Sequence, residues 1–114
     1  MDKSDEVIIR KILREIDFLQ NSVKNYNYES FLRDEILKRA VSMAFLNIGE
    51  LARHTSKELK EKATDIPFKE IIATRNNAAH GYDSLRFDFL WETIKQDLPS
   101  LKSEMKKLLK NLEN

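Results

Sequence analysis

The chain is 114 residues long, with a formal net charge of +1, two Gly, two Pro and no Cys. That length specifies a single domain spanning residues 1–114, able to bury about two-thirds of its unfolded surface without covalent staples. The missing cysteines exclude a disulfide framework, a thiolate nucleophile and a soft metal site; the near-neutral charge excludes a general polyanion binder, although residues 53–62 and 102–110 are locally basic.

Abundant Leu, Ile, Lys and Glu with so few Gly and Pro predict an all-α fold. The longest apolar runs are only a few residues, so no membrane span, signal peptide or anchor is readable, and a soluble cytoplasmic protein is expected. A first helix can start at Ser4 as N-cap, with Asp5 and Glu6 favourable to the macrodipole and Ile8, Ile12, Ile16, Leu19 and Val23 as its buried stripe. NYNY at 25–28 breaks the period and predicts a connector. A second helix then runs for about six turns to near His54, carried by Phe31, Ile36, Leu37, Ala40, Val41, Ala44, Phe45, Ile48 and Leu51. Gly49 within it costs about 1 kcal/mol relative to Ala, which suits a close helix crossing.

Thr55 and Glu58 have capping-box spacing for a short helix over 57–62. Asp65 and Pro67 start a third long helix of roughly three to four turns that ends near Gly81. Asp83 or Ser84 can cap a fourth containing Phe87, Leu90, Trp91 and Ile94, and Pro99 kinks or restarts it. Leu101, Met105, Leu108, Leu109 and Leu112 complete a final amphipathic helix whose lysines match its C-terminal dipole. The expected architecture is a bundle of four longer helices plus a short one, without internal repeats.

The chemistry concentrates in RNNAAHGY at 75–82. At about 100° per residue from Arg75, Phe68 falls at about 20°, Ile71 at about −40°, Ile72 at about 60° and Ala79 at about 40°. Arg75 thus sits within an apolar stripe, where a guanidinium needs an anion, a carboxylate or a route to water. His80 falls at about 140°, one turn beyond Asn76 at about 100°, so Asn76 can orient the imidazole. Arg75 and His80 diverge on one ideal helix. Joint action needs the helix to end between them, a long reach by Arg75, or a second copy of the chain.

Each residue also has a plain structural reading. Arg75 could pair with a carboxylate such as Glu50, His80 could close a helix end, Tyr82 could pack with its hydroxyl in solvent, and His54 could end the second helix. No metal constellation emerges, because the two His are remote in sequence and the carboxylates lack Glu-x-x-His spacing. Gly-rich phosphate loops and Ser-His-Asp signatures are absent as well. Neither metal nor cofactor is expected.

The arrangement resembles the HEPN domains, specifically their HepT-like branch. The family's Arg-x4-His-x-Tyr pattern is met by Arg75, His80 and Tyr82, with Asn76 completing the usual Arg-Asn start. NIGELA at 47–52 is similar to the family's Ile-Gly-Glu stretch, and IPFKEI at 66–71 to its Ile-Pro-aromatic segment. Trp91 and DLP at 97–99 also fit. Phe68, where Trp is commoner, and Ala73-Thr74 are departures.

The resemblance implies an HEPN-type helical bundle that is homodimeric, and a metal-independent RNA endonuclease acting as the toxin of a toxin–antitoxin pair. Its catalytic residues would be Arg75 and His80 at a dimer cleft, supported by Asn76, with Glu50 behind Arg75. The RNA substrate, tRNA or mRNA, is left open. In this family the motif tyrosine, here Tyr82, resembles an acceptor for AMP transferred by a cognate minimal nucleotidyltransferase, the antitoxin. The alternative within the resemblance is a non-catalytic module that binds nucleotide or scaffolds such a nucleotidyltransferase.

Overall fold

A computed structural model describes residues 3–79 and 85–113, giving the helical backbone alone for Lys3 and residues 75–79. Every regular element among the described residues is helical: α1 (Lys3–Ser22), α2 (Tyr28–Arg33), α3 (Glu35–Arg53), α4 (Lys57–Lys62), α5 (Phe68–Ala79), α6 (Phe87–Glu92), a π-helical turn (Thr93–Asp97) and α7 (Leu98–Glu113). The longest helices, α1, α3, α5 and α7, lie within the segments whose apolar period predicts helix. The short ones differ from expectation for local reasons.

α1 is already helical at Lys3, so Ser4 is not its N-cap. Its buried stripe is Ile9, Ile12, Ile16, Leu19 and Val23, with Ile8 on the flank and partly buried. Asp5 does more than complement the helix dipole. Almost fully buried, it accepts 2.8 Å and 2.6 Å hydrogen bonds from the Ser56 backbone N–H and hydroxyl. This fastens the start of α1 to the start of α4.

The connector at 25–28 ends one residue early, because Asn27 caps α2 in a reciprocal capping box with Ser30 and Tyr28 is helical. The expected single second helix is two. Asp34 leaves helical geometry, and its carboxylate accepts a 2.9 Å bond from the Leu37 N–H, so α3 starts afresh. The Tyr26 hydroxyl donates to the same carboxylate at 2.7 Å. Both contacts favour the ionised carboxylate, the Leu37 N–H most, and hold Asp34 below the usual carboxylate range. Ile36, expected in the buried stripe, is 83% exposed. It lies about 100° from Leu37 on the side away from Val41, Ile48 and Ala52.

His54 closes α3, as expected, while Ser56 rather than Thr55 caps α4 by accepting from the Leu59 N–H at 3.1 Å. Thr55 instead turns its hydroxyl onto the Ala52 carbonyl. Lys60 donates to the Arg53 and Thr55 carbonyls at 3.1 and 2.7 Å, satisfying acceptors that the end of α3 leaves open. The caps proposed at Asp83 and Ser84, and the helix end at Gly81, fall outside the described residues.

Helix runs from Phe87 through Glu113 with the π-helical turn just before Pro99. Proline has no N–H for the carbonyl four residues back and its ring crowds that carbonyl; the widened turn accommodates both. Pro99 therefore does not restart the helix, which continues through it behind the π-helical turn.

α3 packs closely against both α5 and α1, and α1 against α7. Gly49 is buried on α3, the helix that α5 lies along. The core between them runs from Ile12 and Ile16 through Val41 and Ile48 to Leu98 and Met105. At one corner Phe31 stacks on Trp91 with centroids 5.2 Å apart and meets Phe87 edge-on at 6.2 Å, joining α2 to α6. No described helix is long and apolar enough to cross a membrane.

Candidate active site and its scaffold

Arg75 and Asn76 lie in the second half of α5. Before them, Phe68 is buried and Ile71 and Ile72 are partly buried, whereas Lys69, Glu70 and Ala73 are exposed. Pro67 contributes as the sequence suggests: its carbonyl accepts the Ile71 N–H at 3.1 Å, opening the helix. The side chains of Arg75 and Asn76, and all of His80 and Tyr82, lie outside the described residues.

Glu50 is the candidate whose side chain is described. It is half-buried on α3, where its Oε1 accepts from Arg53 at 2.9 Å and meets His54 Nε2 at 3.0 Å while its Oε2 is shielded from solvent. The neighbouring cleft, about 330 Å³, is lined by Lys11, Arg14 and Glu15 of α1 and by Asn47, Glu50 and Leu51 of α3. Asn47 reaches Glu15 at 3.4 Å across it. The structure therefore places Glu50 beside two cations of α1, a proximity that 36 to 39 residues of intervening chain hide from the sequence.

Around this cleft runs a second stripe on each helix, opposite the core. On α1 it is Val7, Lys11, Arg14 and Phe18, and on α3 Ile36, Met43 and Asn47. The apolar members are well exposed: Val7 47%, Phe18 44%, Ile36 83% and Met43 55%. Among the described residues, Phe89 is the one exposed large apolar side chain outside α1–α3. Sequence reasoning passed over this face because it followed only the buried stripe. The signal was present as spacing: 7, 11, 14 and 18 repeat every three or four residues.

Among the described residues no cluster of His, Cys, Asp and Glu could hold a metal ion. The profile described as "Ribonuclease HepT-like" matches residues 12–108, which includes α3, α5 and the whole 75–82 stretch. The chain belongs to the HepT-like ribonuclease family. Among curated relatives, "Putative RNase TTE0752" of Caldanaerobacter subterraneus subsp. tengcongensis is 34% identical over 107 residues, covering 94% of this chain and 96% of that one. "Putative RNase MJ1216" of Methanocaldococcus jannaschii is 34% identical over 114 residues, covering 99% and 94%. "Probable ribonuclease HepT" of Thermococcus cleftensis is 30% identical over 110 residues, covering 96% and 100%. No solved structure matches the chain. The near-complete coverage in both directions makes this HepT-like chain comparable with those relatives end to end.

Proposed function

We propose that this HepT-like protein is a metal-independent RNA endonuclease, the toxin of a toxin–antitoxin pair, working as a homodimer. The single observation that carries the reading is the family match across residues 12–108, which contains Arg75, His80 and Tyr82 at the family spacing. In the proposed reaction, the 2′-hydroxyl loses its proton and attacks phosphorus. The bond to the 5′-oxygen then breaks, and that oxygen is protonated. His80 exchanges protons near neutrality, while Arg75 offers permanently charged planar donors to the phosphorane oxygens. Asn76 orients the imidazole, and Glu50 supports the charged site from α3.

The dimer reading draws on the outward face of α1 and α3. Ile36, Met43, Val7 and Phe18 are apolar surface that a second copy would cover, with Lys11, Arg14, Glu15 and Glu50 supplying both signs of charge for self-complementary pairing. Two motif copies brought to one cleft would supply two guanidinium and two imidazole groups. AMP transferred to Tyr82 by a partner minimal nucleotidyltransferase would put an anion two residues from His80. Paired with Arg75, it would exclude RNA by charge and bulk.

The test is RNA incubated in chelator with wild type, Arg75→Ala and His80→Ala, each first shown to be a folded dimer. Each substitution is expected to lower the rate by about 10²–10⁴-fold. Tyr82→Phe in the same series is expected to cleave normally and to escape silencing by the active nucleotidyltransferase. Cleavage that survives both alanine substitutions would assign the activity to a contaminant.

A further inference from the structure

The bundle has an open seam. α5 packs along α3, but α5 and α7 do not pack closely along one another among the described residues. Between them lies a groove of about 490 Å³, within the range of about 300–1,000 Å³ that binding pockets occupy. Its walls are mainly apolar: Ile48 of α3, Ile71 of α5, Leu101 of α7, and Phe89 of α6, which is 51% exposed. The charged groups among its described lining residues are of one sign. Asp65 and Glu70 stand on the α5 side, Asp97 and Glu104 on the α7 side, and no lysine or arginine is among the described lining residues. Glu104 also pairs with Lys107 at 3.5 Å.

Apolar walls between two acidic flanks discriminate among occupants. RNA is disfavoured, since each phosphate brought to the groove meets carboxylates within the screening length of about 8–10 Å. A helix with an apolar face and flanking lysines or arginines satisfies both features: its apolar side chains leave water in the seam while its cations reach the carboxylates on either wall. The outward face of α1 and α3 contrasts with this, since it carries both signs of charge and suits a copy of itself.

We propose that the α5–α7 groove is the docking site for a cationic amphipathic helix of a partner protein. Thr74 lines the groove one residue before Arg75, so the occupant would bear on the helix that carries the motif. The assignment rests on the groove's shape and charge, and stands whether or not the chain cleaves RNA.

The full chain is titrated with two synthetic helical peptides of about 18 residues, or five turns, with identical leucines at i, i+3, i+4, i+7 spacing. One carries lysines on its flanks and the other glutamates. Methyl NMR reports where each binds, and calorimetry how tightly. The lysine peptide is expected to bind at least about tenfold tighter than the glutamate peptide and to shift the Ile48, Ile71 and Leu101 methyls. The double change Glu70→Lys/Glu104→Lys, checked for an unchanged circular dichroism spectrum, is expected to abolish that preference. Phe89→Ser is expected to weaken the lysine peptide by about tenfold without altering the charge. The proposal is overturned if the preference survives the charge reversal, or if the shifts fall on Val7, Phe18 and Met43 instead. It is equally overturned if an RNA oligonucleotide displaces the lysine peptide and shifts the Leu101 methyls on α7, across the groove from the motif helix, or if the chain alone buries Ile71 and Leu101 in a dimer.

Discussion

The corner where α2 meets α6 and the helix α5 both flank the α1–α3–α7 scaffold, yet they are held in different ways. At the corner, Phe31 is fully buried, stacks on Trp91 and touches Phe87, while Lys38 lies 5.0 Å over the Phe87 ring and Lys95 4.9 Å over Trp91. Aromatic area and cation–π contacts close it from several directions. α5 has one buried side chain, Phe68, among its described residues, with Ile71 and Ile72 half-buried. It packs on α3, and its other flank opens into the groove toward α7. α5 thus combines one closely packed flank on α3 with another that opens into the groove, whereas the corner is closed on every side that its aromatic rings face.

This contrast can be broken by substitution. Phe31→Ala is expected to destabilise the protein by about 3–5 kcal/mol, while Ile71→Ala is expected to cost only about 1–2 kcal/mol, because its site is half-open. Denaturant unfolding of the two variants checks the ordering, and an equal cost would mean that α5 is held as firmly as the corner. Asp5→Ala should fall between them. Losing an acceptor of two bonds to Ser56 at a nearly fully buried position is expected to cost about 2–3 kcal/mol. A value near zero would mean that α1 and α4 are joined mainly by their apolar neighbours.

The smallest effect concerns acid. Asp34 is held below the usual carboxylate range, so its contribution is present above the unfolded carboxyl value, near about pH 4, and is lost as pH falls through the lowered folded value. Unfolding midpoints measured from pH 7 down to about 3 should therefore fall less steeply for Asp34→Asn than for wild type. Parallel curves would remove Asp34 from the account of how α3 begins.

The all-α class was legible because 3.6-residue periodicity is a local signal and only two Gly and two Pro interrupt it. The break at Asp34 was not, since apolar residues continue on both sides of it and a single capping aspartate outweighs the apparent period. Ile36 was misplaced for the same reason, its apolar character having been weighed above its angle to Leu37. The tie between Asp5 and Ser56 spans 51 residues, and no local pattern records it. The motif was readable as spacing, from Arg75 to His80 and Tyr82. The proposed pairing of two copies rests on the family resemblance and on the divergence of Arg75 and His80 around one helix. The outward stripe of α1 was written in the sequence but became visible as a face only once α3 was set beside it.

The claim at the centre is that Arg75 and His80 cleave RNA by using its own 2′-hydroxyl, without a metal. The most direct measurement is end-group analysis of RNA cut by the purified protein in excess chelator. The account predicts 2′,3′-cyclic phosphate and 5′-hydroxyl termini, lost together in Arg75→Ala and His80→Ala. Products ending in 3′-hydroxyl and 5′-phosphate would contradict it.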